Sequence, residues 1–257
     1  MKPSDPKKLH ENLLRDLADL KLARIAATYQ EVLDEAARNG SSCLEVLATL
    51  IAAEATARQE RALGRRIKRA HLPKQKTLPE YDFSFPNRIP KQAILRLFDC
   101  DFIPQQVCAV LVGKTGTGKS HLLTALAYTA CEKGFTVRWT RVVDMINELT
   151  KAQINGTLGK ALREYTRPEL LLLDELGYLP IDKRGADLMF QVVAARYEIG
   201  SIVLTTNRPF REWGTLFDVD NTLATALIDR LMHHGEALVI QGESYRMKDK
   251  PAETPNP

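Results

Sequence analysis

Three glycines, a lysine and a serine near the middle of the chain have the spacing that binds phosphate. Gly113, Gly116 and Gly118 precede Lys119 and Ser120, so residues 113–120 fit the pattern G-x-x-x-x-G-K-S of a P-loop. Glycine lets the backbone N–H groups point at phosphate oxygens, while the lysine reaches the phosphates and the serine ligates Mg²⁺. The pattern predicts an ATP and Mg²⁺ site, with a plain glycine-rich turn as the alternative. The predicted nucleotide contacts are Gly113, Lys114, Thr115, Gly116, Thr117, Gly118, Lys119, Ser120 and His121.

Two acids, Asp174 and Glu175, follow the apolar run at residues 170–173. A buried strand that ends in acids is typical of the ligand-binding edge of an α/β sheet. We predict that Asp174 holds Mg²⁺, since this ion prefers oxygen ligands, and that Glu175 polarises the attacking water as a general base. The alternative is that both acids only cap a strand or a turn. Together with the P-loop they predict ATP hydrolysis, in which Lys119 and Glu175 are catalytic.

Another apolar run, at residues 201–206, ends in Asn207. An amide at the end of a strand beside the P-loop is placed to contact the γ-phosphate or the attacking water. We therefore predict that Asn207 is catalytic. The alternative is a turn asparagine before Pro209.

Arg230 precedes the last predicted strand and is expected at the end of a surface helix. We predict that it acts in trans as an arginine finger, stabilising charge at the γ-phosphate of a neighbouring subunit. This role requires a homo-oligomer with ATP sites between subunits. Arg208 is the rival finger, and a surface arginine paired with Asp229 or Glu236 is the alternative.

The elements that must position these residues are an α/β core and a helical region before it. Strand-like runs at 107–112, 136–140, 170–173, 202–206 and 237–240 alternate with helix-like segments, which predicts a five-stranded parallel sheet flanked by helices. Residues 9–70 show helical spacing, broken by the turn at 39–42, where Ser41 or Ser42 could cap a helix. Prolines between residues 72 and 90 mark a junction. We predict a helical domain at 1–72, a linker at 73–90, the core at 91–247 and a disordered tail at 248–257.

A run of basic residues closes the helical region. Arg58, Arg61 and Arg65 fall at helical spacing with Lys68 and Arg69, so they share one face of an unbroken helix. Such a face could follow a DNA backbone with little sequence preference, or could simply be solvated. The predicted DNA contacts are Arg58, Arg61, Arg65, Arg66, Lys68 and Arg69, extended by His71, Lys74 and Lys76.

Composition sets broad limits on the class of protein. The chain has 257 residues, 44% of them hydrophobic, which suits a globular protein. Its net charge of +4 is mild, so an argument for nucleic-acid binding has to rest on where the charges lie. Its four cysteines lack metal-site spacing, and no apolar run is long enough to span a bilayer, so we expect a cytoplasmic protein. Tyr81, Phe83 and Phe85 precede the core and are expected to pack at adenine or to staple the linker to the core.

Four segments carry a resemblance to a known family. They are Gly-Lys-Thr-Gly-Thr-Gly-Lys-Ser at 113–120, Leu-Leu-Leu-Leu-Asp-Glu-Leu-Gly-Tyr at 170–178, Thr-Thr-Asn-Arg-Pro-Phe-Arg-Glu-Trp at 205–213 and Asp-Arg-Leu-Met-His-His-Gly at 229–235. In these the chain resembles the IstB-like proteins, which are AAA+ ATPases of insertion sequences and are similar to the DnaC helicase loaders.

The resemblance implies an ATPase that binds and bends duplex DNA as a multimer and assists an IstA-like transposase. It also implies that Asp174 and Glu175 form a Walker B motif and that Asn207 is a sensor-1 residue. A DNA-contacting segment is implied at 144–167, with Lys151, Lys160, Arg163 and Arg167 as candidates. Too few residues follow Ile240 for a helical lid domain, and Arg246 could only partly replace a lid arginine. A DnaC-like helicase loader and an ATP-gated DNA scaffold with incidental hydrolysis remain as alternatives.

Overall fold

The computed structural model of the protein describes residues 5–85, 88–217 and 221–245. Its chain divides into two compact units, residues 1–65 and 66–257. The division lies before the predicted boundary at residue 72, inside a helix, because Arg66 donates to the carbonyl oxygen of Cys131 and Ala70 is completely buried. Arg246 and the tail at 248–257, which we predicted to be disordered, lie outside the described residues.

Three helices account for the first unit, α1 (Pro6–Asp19), α2 (Ala23–Asn39) and α3 (Cys43–Ala70), of which the last few residues of α3 belong to the second unit. Ser42 and Glu45 cap α3 reciprocally, since the Glu45 carboxylate accepts from the Ser42 N–H and the Ser42 hydroxyl accepts from the Glu45 N–H. The cap predicted at Ser41 or Ser42 is therefore Ser42. Leu17, Ile25 and Tyr29 form a small core.

Glu54 on α3 ties the first unit together through the N-terminus of α2. Its carboxylate accepts from the backbone N–H groups of Arg24 and Ile25, at 2.7 and 3.1 Å, and from Arg61 at 2.5 Å. Burial alone would raise the pKa of Glu54, but these hydrogen bonds outweigh burial and lower that pKa. The charged Glu54 carboxylate, which belongs to α3, therefore caps the N-terminus of α2.

The second unit contains a five-stranded sheet with the order β2-β3-β4-β1-β5, in which every neighbouring pair is parallel. Its strands are β1 (Ala109–Gly113), β2 (Val137–Arg141), β3 (Leu170–Leu176), β4 (Ser201–Thr206) and β5 (Glu236–Ile240). All five predicted strands and the α/β fold class are confirmed. Parallel strands place their carboxyl ends at one edge, where Gly113, Asp174 and Thr206 lie together.

Helices cover both faces of the sheet. They are α4 (Lys91–Asp99), α5 (Lys119–Glu132), α6 (Val142–Ile154), α7 (Leu158–Thr166), α8 (Lys183–Arg196), α9 (Trp213–Leu216) and α10 (Asn221–Met232). Leu171 and Leu173 pack with the buried side chains of α6, α8 and α10, while Leu170 and Leu172 are buried on the other side of the pleat, where α5 crosses the strands. In the described residues, no helix combines the length and apolar character needed to cross a membrane.

One buried arginine fixes the starts of β3 and β4. Arg196, at the end of α8, is only 1% exposed, and burial lowers its pKa to about 10. Its guanidinium donates to five backbone carbonyl oxygens, those of Tyr165, Thr166, Pro168, Glu169 and Ser201. The end of α7 and the two strand starts are therefore held by a single side chain.

Candidate functional site

The P-loop connects β1 to α5 and depends on glycine at two positions. Gly116 and Gly118 have φ angles of +83° and +86°, a region that side chains with a Cβ rarely adopt. The loop is also closely covered: a Cβ on Gly118 would lie 2.5 Å from the Tyr81 ring, and one on Gly116 would collide with Ser244. The helix that follows the loop begins at Lys119, directly after the left-handed Gly118.

Lys119 lies inside the loop and contacts its backbone. The side-chain nitrogen donates to the carbonyl oxygens of Gly113 and Lys114, at 2.6 and 2.8 Å, and the residue is only 5% exposed. Burial lowers the pKa of Lys119 to about 8, against the opposing effect of Asp174. The ammonium group therefore lies where phosphate oxygens of a bound nucleotide would replace the two carbonyl oxygens as its hydrogen-bond acceptors.

Ser120 and Asp174 bring two oxygen donors together beside the loop. The Ser120 hydroxyl donates to Asp174 Oδ1 at 3.0 Å, and Asp174 is 3% exposed. A hydroxyl and a carboxylate are hard oxygen ligands of the type that Mg²⁺ prefers. The pair therefore fits the predicted Mg²⁺ site, which Ser120 and Asp174 would help to form.

Glu175 occupies a strained position at the end of β3. Its φ angle is +64°, in the left-handed region that disfavours non-glycine residues, and the β3–β4 register shifts between Leu173 and Leu176. Glu175 lines a pocket together with the P-loop residues from Gly116 to Ser120. The residue with this strained backbone is therefore also one that faces the nucleotide pocket.

Thr205 on β4 was missed by the sequence analysis and contacts both acids. Its hydroxyl donates to Asp174 Oδ1 at 2.5 Å and accepts from the Glu175 N–H at 2.9 Å. In sequence Thr205 is one more residue in a strand of β-branched side chains, and its neighbour Thr206 has the same side chain. Only its place two residues before Asn207 could have drawn attention to it.

Asn207 directly follows β4 and lies beside the first residues of the P-loop. It lines a second pocket with Lys114, Thr115 and Ser244. Its Oδ1 is buried and accepts no hydrogen bond within the described part of the chain. A buried amide oxygen without a partner is uncommon, and here it marks a place that a bound water or ligand can satisfy.

The segment predicted as a linker forms a wall of the nucleotide pocket. It contains a 3₁₀ helix (Leu78–Glu80), after which the Tyr81 hydroxyl donates to the Thr117 carbonyl oxygen at 3.1 Å. His121 Nε2 pairs with the Thr77 carbonyl oxygen at 2.8 Å. Phe85 and Tyr245 meet edge to face at the same pocket. Tyr81 therefore staples this segment to the core, as one of our two alternatives expected, and also lines the pocket.

The two candidate finger arginines lie at opposite edges of the sheet. Arg208 lies beside Gly177 at the P-loop edge and pairs with Glu212 at 3.2 Å. Arg230 lines a pocket with Cys108 and Gly235, which precede β1 and β5, so it lies at the edge away from the P-loop. The length of β1 alone, at about 3.3 Å per residue, separates these edges by roughly 15 Å.

Arg230 is held by contacts within its own unit. Its guanidinium lies 4.6 Å from the ring centroid of Phe190 and donates to the Ala226 carbonyl oxygen at 3.2 Å. Among the residues that the structure describes, it forms no ion pair with Asp229 or Glu236, the pairing that we had named as the alternative.

The basic residues of α3 divide into two groups. Arg58, Arg65, Lys68 and Arg69 are exposed. Arg61 pairs with Glu54, and Arg66 is partly buried with its Nε bonded to the Cys131 carbonyl oxygen, so both have structural contacts that helical spacing did not reveal.

Two further basic groups can now be placed. Lys74 and Lys76, which we predict to extend the DNA surface, are exposed and line the nucleotide pocket. The segment at 144–167 contains most of α6 and all of α7, and its four candidate side chains are exposed: Lys151, Lys160, Arg163 and Arg167.

Comparison with known proteins identifies the family. Residues 15–253 match the family of IstB-like ATP binding proteins. A relative named as an ATP-binding protein of insertion sequence IS232, from Bacillus thuringiensis subsp. berliner, is 37% identical over 95% of this chain and 97% of its own. Another, named for insertion sequence IS21 of Pseudomonas aeruginosa, is 36% identical over 91% of this chain and 88% of its own.

Solved structures show where the fold belongs. The chain resembles the DnaC helicase loader with a TM-score of 0.51 and 24% identity, over 64% of this chain and 96% of that one. The sheet order, the flanking helices and this likeness are those of an AAA+ core. The sequence match extends through both units, and on this basis the chain belongs to the family of IstB-like ATP-binding proteins.

Proposed function

We propose that the protein is an ATPase that hydrolyses ATP to ADP and phosphate with Mg²⁺. The observation that carries this proposal is the convergence of Ser120, Asp174 and Glu175 beside the P-loop, through hydrogen bonds of 3.0 Å or less to Asp174 Oδ1 and Thr205. A fold that only bound nucleotide would not need a strained acid directed into the same pocket.

Each residue of the site has a definite part in the proposed reaction. The backbone of the P-loop and Lys119 hold the phosphates, and Ser120 with Asp174 hold Mg²⁺, which when bound neutralises charge on the phosphate oxygens. Glu175 orients the attacking water and accepts its proton, while Asn207 contacts that water or the γ-phosphate.

The experiment is a comparison of wild type with Glu175→Gln and Lys119→Ala. Glu175→Gln should bind ATP without hydrolysing it, and Lys119→Ala should bind ATP only weakly and not hydrolyse it. Hydrolysis at the wild-type rate by Glu175→Gln would reject this role.

A second copy of the chain completes the site in our proposal. Arg230 lies at the edge of the sheet away from its own P-loop, so it can reach a γ-phosphate only in another subunit. Arg208, at the P-loop edge, is the rival finger and lies near its own nucleotide site. Mixing Arg230→Ala with Lys119→Ala should restore part of the lost ATPase activity, because some interfaces then pair an intact loop with an intact finger. Mixing Arg208→Ala with Lys119→Ala should not, and the reverse pattern would make Arg208 the finger in trans.

The protein is proposed to assemble on duplex DNA. The exposed cations Arg58, Arg65, Lys68 and Arg69 on α3 suit phosphate contacts that do not read sequence. The four exposed cations of α6, α7 and the residue after α7 offer a second basic surface within the core. ATP held between subunits would then control the formation of a multimer on DNA, and hydrolysis would release it.

The partner that we propose is an IstA-like transposase. Both relatives described above are named for insertion sequences, which favours a transposase over the replicative helicase of a DnaC-like loader. In a binding assay with ATP and duplex DNA, the purified protein should bind the transposase and should not bind a replicative helicase. Glu175→Gln separates an active role of hydrolysis from an ATP-gated scaffold: if hydrolysis matters, this variant forms complexes that persist but supports little transposition.

A further inference from the structure

The strand pairing is irregular at the point where the two acids lie. Leu173 pairs with Leu204 and Leu176 pairs with Thr206, so Asp174 and Glu175 on β3 together oppose Thr205 alone on β4. This is the pattern of a β-bulge, in which one extra residue interrupts the ladder and redirects the side chains beside it. We propose that the Thr205 hydroxyl is the positioning group for both acids, an inference that rests on the ATPase function proposed above.

One hydroxyl contacts both acids of the bulge. It donates to Asp174 Oδ1 and accepts from the Glu175 N–H, which also donates to Asp174 Oδ1 at the longer distance of 3.1 Å. In a regular ladder, backbone groups across the strands would satisfy that N–H group. Thr205 is 1% exposed, so water does not replace the hydroxyl if it is removed.

The contact with Asp174 fixes the orientation of a carboxylate beside Ser120. Asp174 Oδ1 accepts from both hydroxyl groups, at 2.5 Å from Thr205 and 3.0 Å from Ser120. Groups that hydrogen-bond to a metal ligand set its orientation and thereby the affinity for the ion. Thr205 accordingly keeps one oxygen of Asp174 beside Ser120, where the two residues would hold Mg²⁺.

The contact with Glu175 maintains a backbone conformation that is costly by itself. A non-glycine residue at a φ of +64° needs surrounding structure to hold it there. The hydrogen bond from its N–H to Thr205 is one such restraint, and the pocket-facing direction of the Glu175 side chain depends on that conformation. Thr205 does not line the nucleotide pocket with Glu175 and the P-loop, so it acts through the acids and not on ATP itself.

Thr140 provides a matched control on β2, the strand on the other side of β3 from Thr205. It lies at the same edge of the sheet, is 6% exposed, and donates to the carbonyl oxygen of Arg141 and not to a site acid. Thr→Val removes the same hydroxyl at either position and preserves the β-branched shape. The two variants therefore separate the loss of a buried hydroxyl from the loss of positioning.

The experiment compares Thr205→Val, Thr205→Ser and Thr140→Val in the full chain. The readouts are the ATPase kcat and KM, and a Mg²⁺ titration of fluorescent ATP bound to the protein. Thr205→Val should lower kcat by about 10- to 100-fold and raise the Mg²⁺ concentration for half-saturation by about tenfold, the effect usual for groups that orient a metal ligand. KM for ATP should stay within about threefold, because the P-loop and Lys119 are unchanged. Thr205→Ser should restore both values, and Thr140→Val should match wild type.

Each result decides the inference. Equal behaviour of Thr205→Val and Thr140→Val would overturn it, and so would a Thr205→Ser variant as impaired as Thr205→Val. If Thr205→Val fails to fold, Thr205→Ala is measured in its place against Thr205→Ser. A wild-type protein without ATPase activity would reject the proposed function, whereas the Mg²⁺ titration would still test Thr205 separately.

Discussion

The side-chain nitrogen of Lys119 lies 2.6 Å from the carbonyl oxygen of Gly113, the first residue of its own loop. The buried ammonium group thus donates to carbonyl oxygens of the same loop that would bind phosphate. Burial lowers the pKa of this lysine to about 8, so the free protein loses the proton as the pH rises through that value. Bound phosphates favour the charged form and would raise the pKa again.

ATP affinity should consequently depend on pH above neutrality. Because binding takes up a proton wherever the free lysine is neutral, affinity should fall about tenfold between pH 7 and pH 9. Fluorescent-nucleotide titrations at constant salt and excess Mg²⁺ measure this change. The weak residual binding of Lys119→Ala should show no such dependence. A wild-type affinity that stays flat across this range would contradict the lowered pKa.

The crowding of Gly118 gives a second prediction. Gly118→Ala adds a Cβ that would lie 2.5 Å from the Tyr81 ring, on a backbone with a φ of +86°. Gly134→Ala introduces similar backbone strain, at a φ of +103°, but its Cβ meets nothing within 4 Å. Both variants should lose about 1 kcal/mol or more of stability from the strained backbone. Only Gly118→Ala should also lose ATP binding, by at least an order of magnitude.

Nucleotide titration and thermal unfolding of the two variants check this prediction. If Gly118→Ala binds ATP as well as Gly134→Ala does, then the Tyr81 ring can move away from the loop, and the segment before the core does not constrain the nucleotide site.

The nucleotide site was predictable where short-range sequence determines geometry. The P-loop glycines and the acids after an apolar strand are adjacent in sequence to the elements that position them, so Lys119, Ser120, Asp174 and Glu175 meet as expected. The role of Thr205 depends on the register of β4 against β3. A register shift of one residue cannot be recognised in the sequence of either strand.

Long-range packing explains the other differences. Prolines after residue 71 indicate a break in the helix, which ends at Ala70, but they do not reveal that Tyr81 covers Gly118. Helical spacing placed Arg61 and Arg66 with the other cations, yet it cannot show that a buried carboxylate and a carbonyl group bind these two. Such partners are distant in sequence or belong to another element.

Arg196 should be important for stability and not for catalysis. Arg196→Ala would leave five backbone carbonyl oxygens without their donor at a site that is 1% exposed. A buried carbonyl oxygen without a donor costs about 1 to 3 kcal/mol, so several of them should cost about 3 kcal/mol or more and lower Tm by roughly 6 to 12 °C for a unit of this size. Arg196→Lys keeps the charge but lacks the planar set of donors, so it should recover only part of the loss.

Thermal unfolding with and without ATP measures these changes. Arg184→Ala, at an exposed site near the start of the same helix, is the control and should unfold near the wild-type temperature. An Arg196→Ala protein as stable as this control would show that the carbonyl groups find other donors.

The two groups of cations on α3 should respond differently to mutation. Arg65 and Arg69 are exposed, so Arg65→Glu with Arg69→Glu should weaken duplex binding and reduce the slope of log affinity against log salt by about one for each phosphate contact removed. Arg61 is bound to Glu54, which caps α2, so Arg61→Gln should lower the thermal stability of the first unit and leave the salt slope near the wild-type value. Duplex titrations at several salt concentrations, with thermal unfolding of each variant, separate the two effects. If Arg61→Gln reduces the slope as much as a change at Arg65 does, then Arg61 leaves Glu54 to bind phosphate, whereas an unchanged slope in the Arg65 and Arg69 variant would move the DNA site to the exposed cations of α6 and α7.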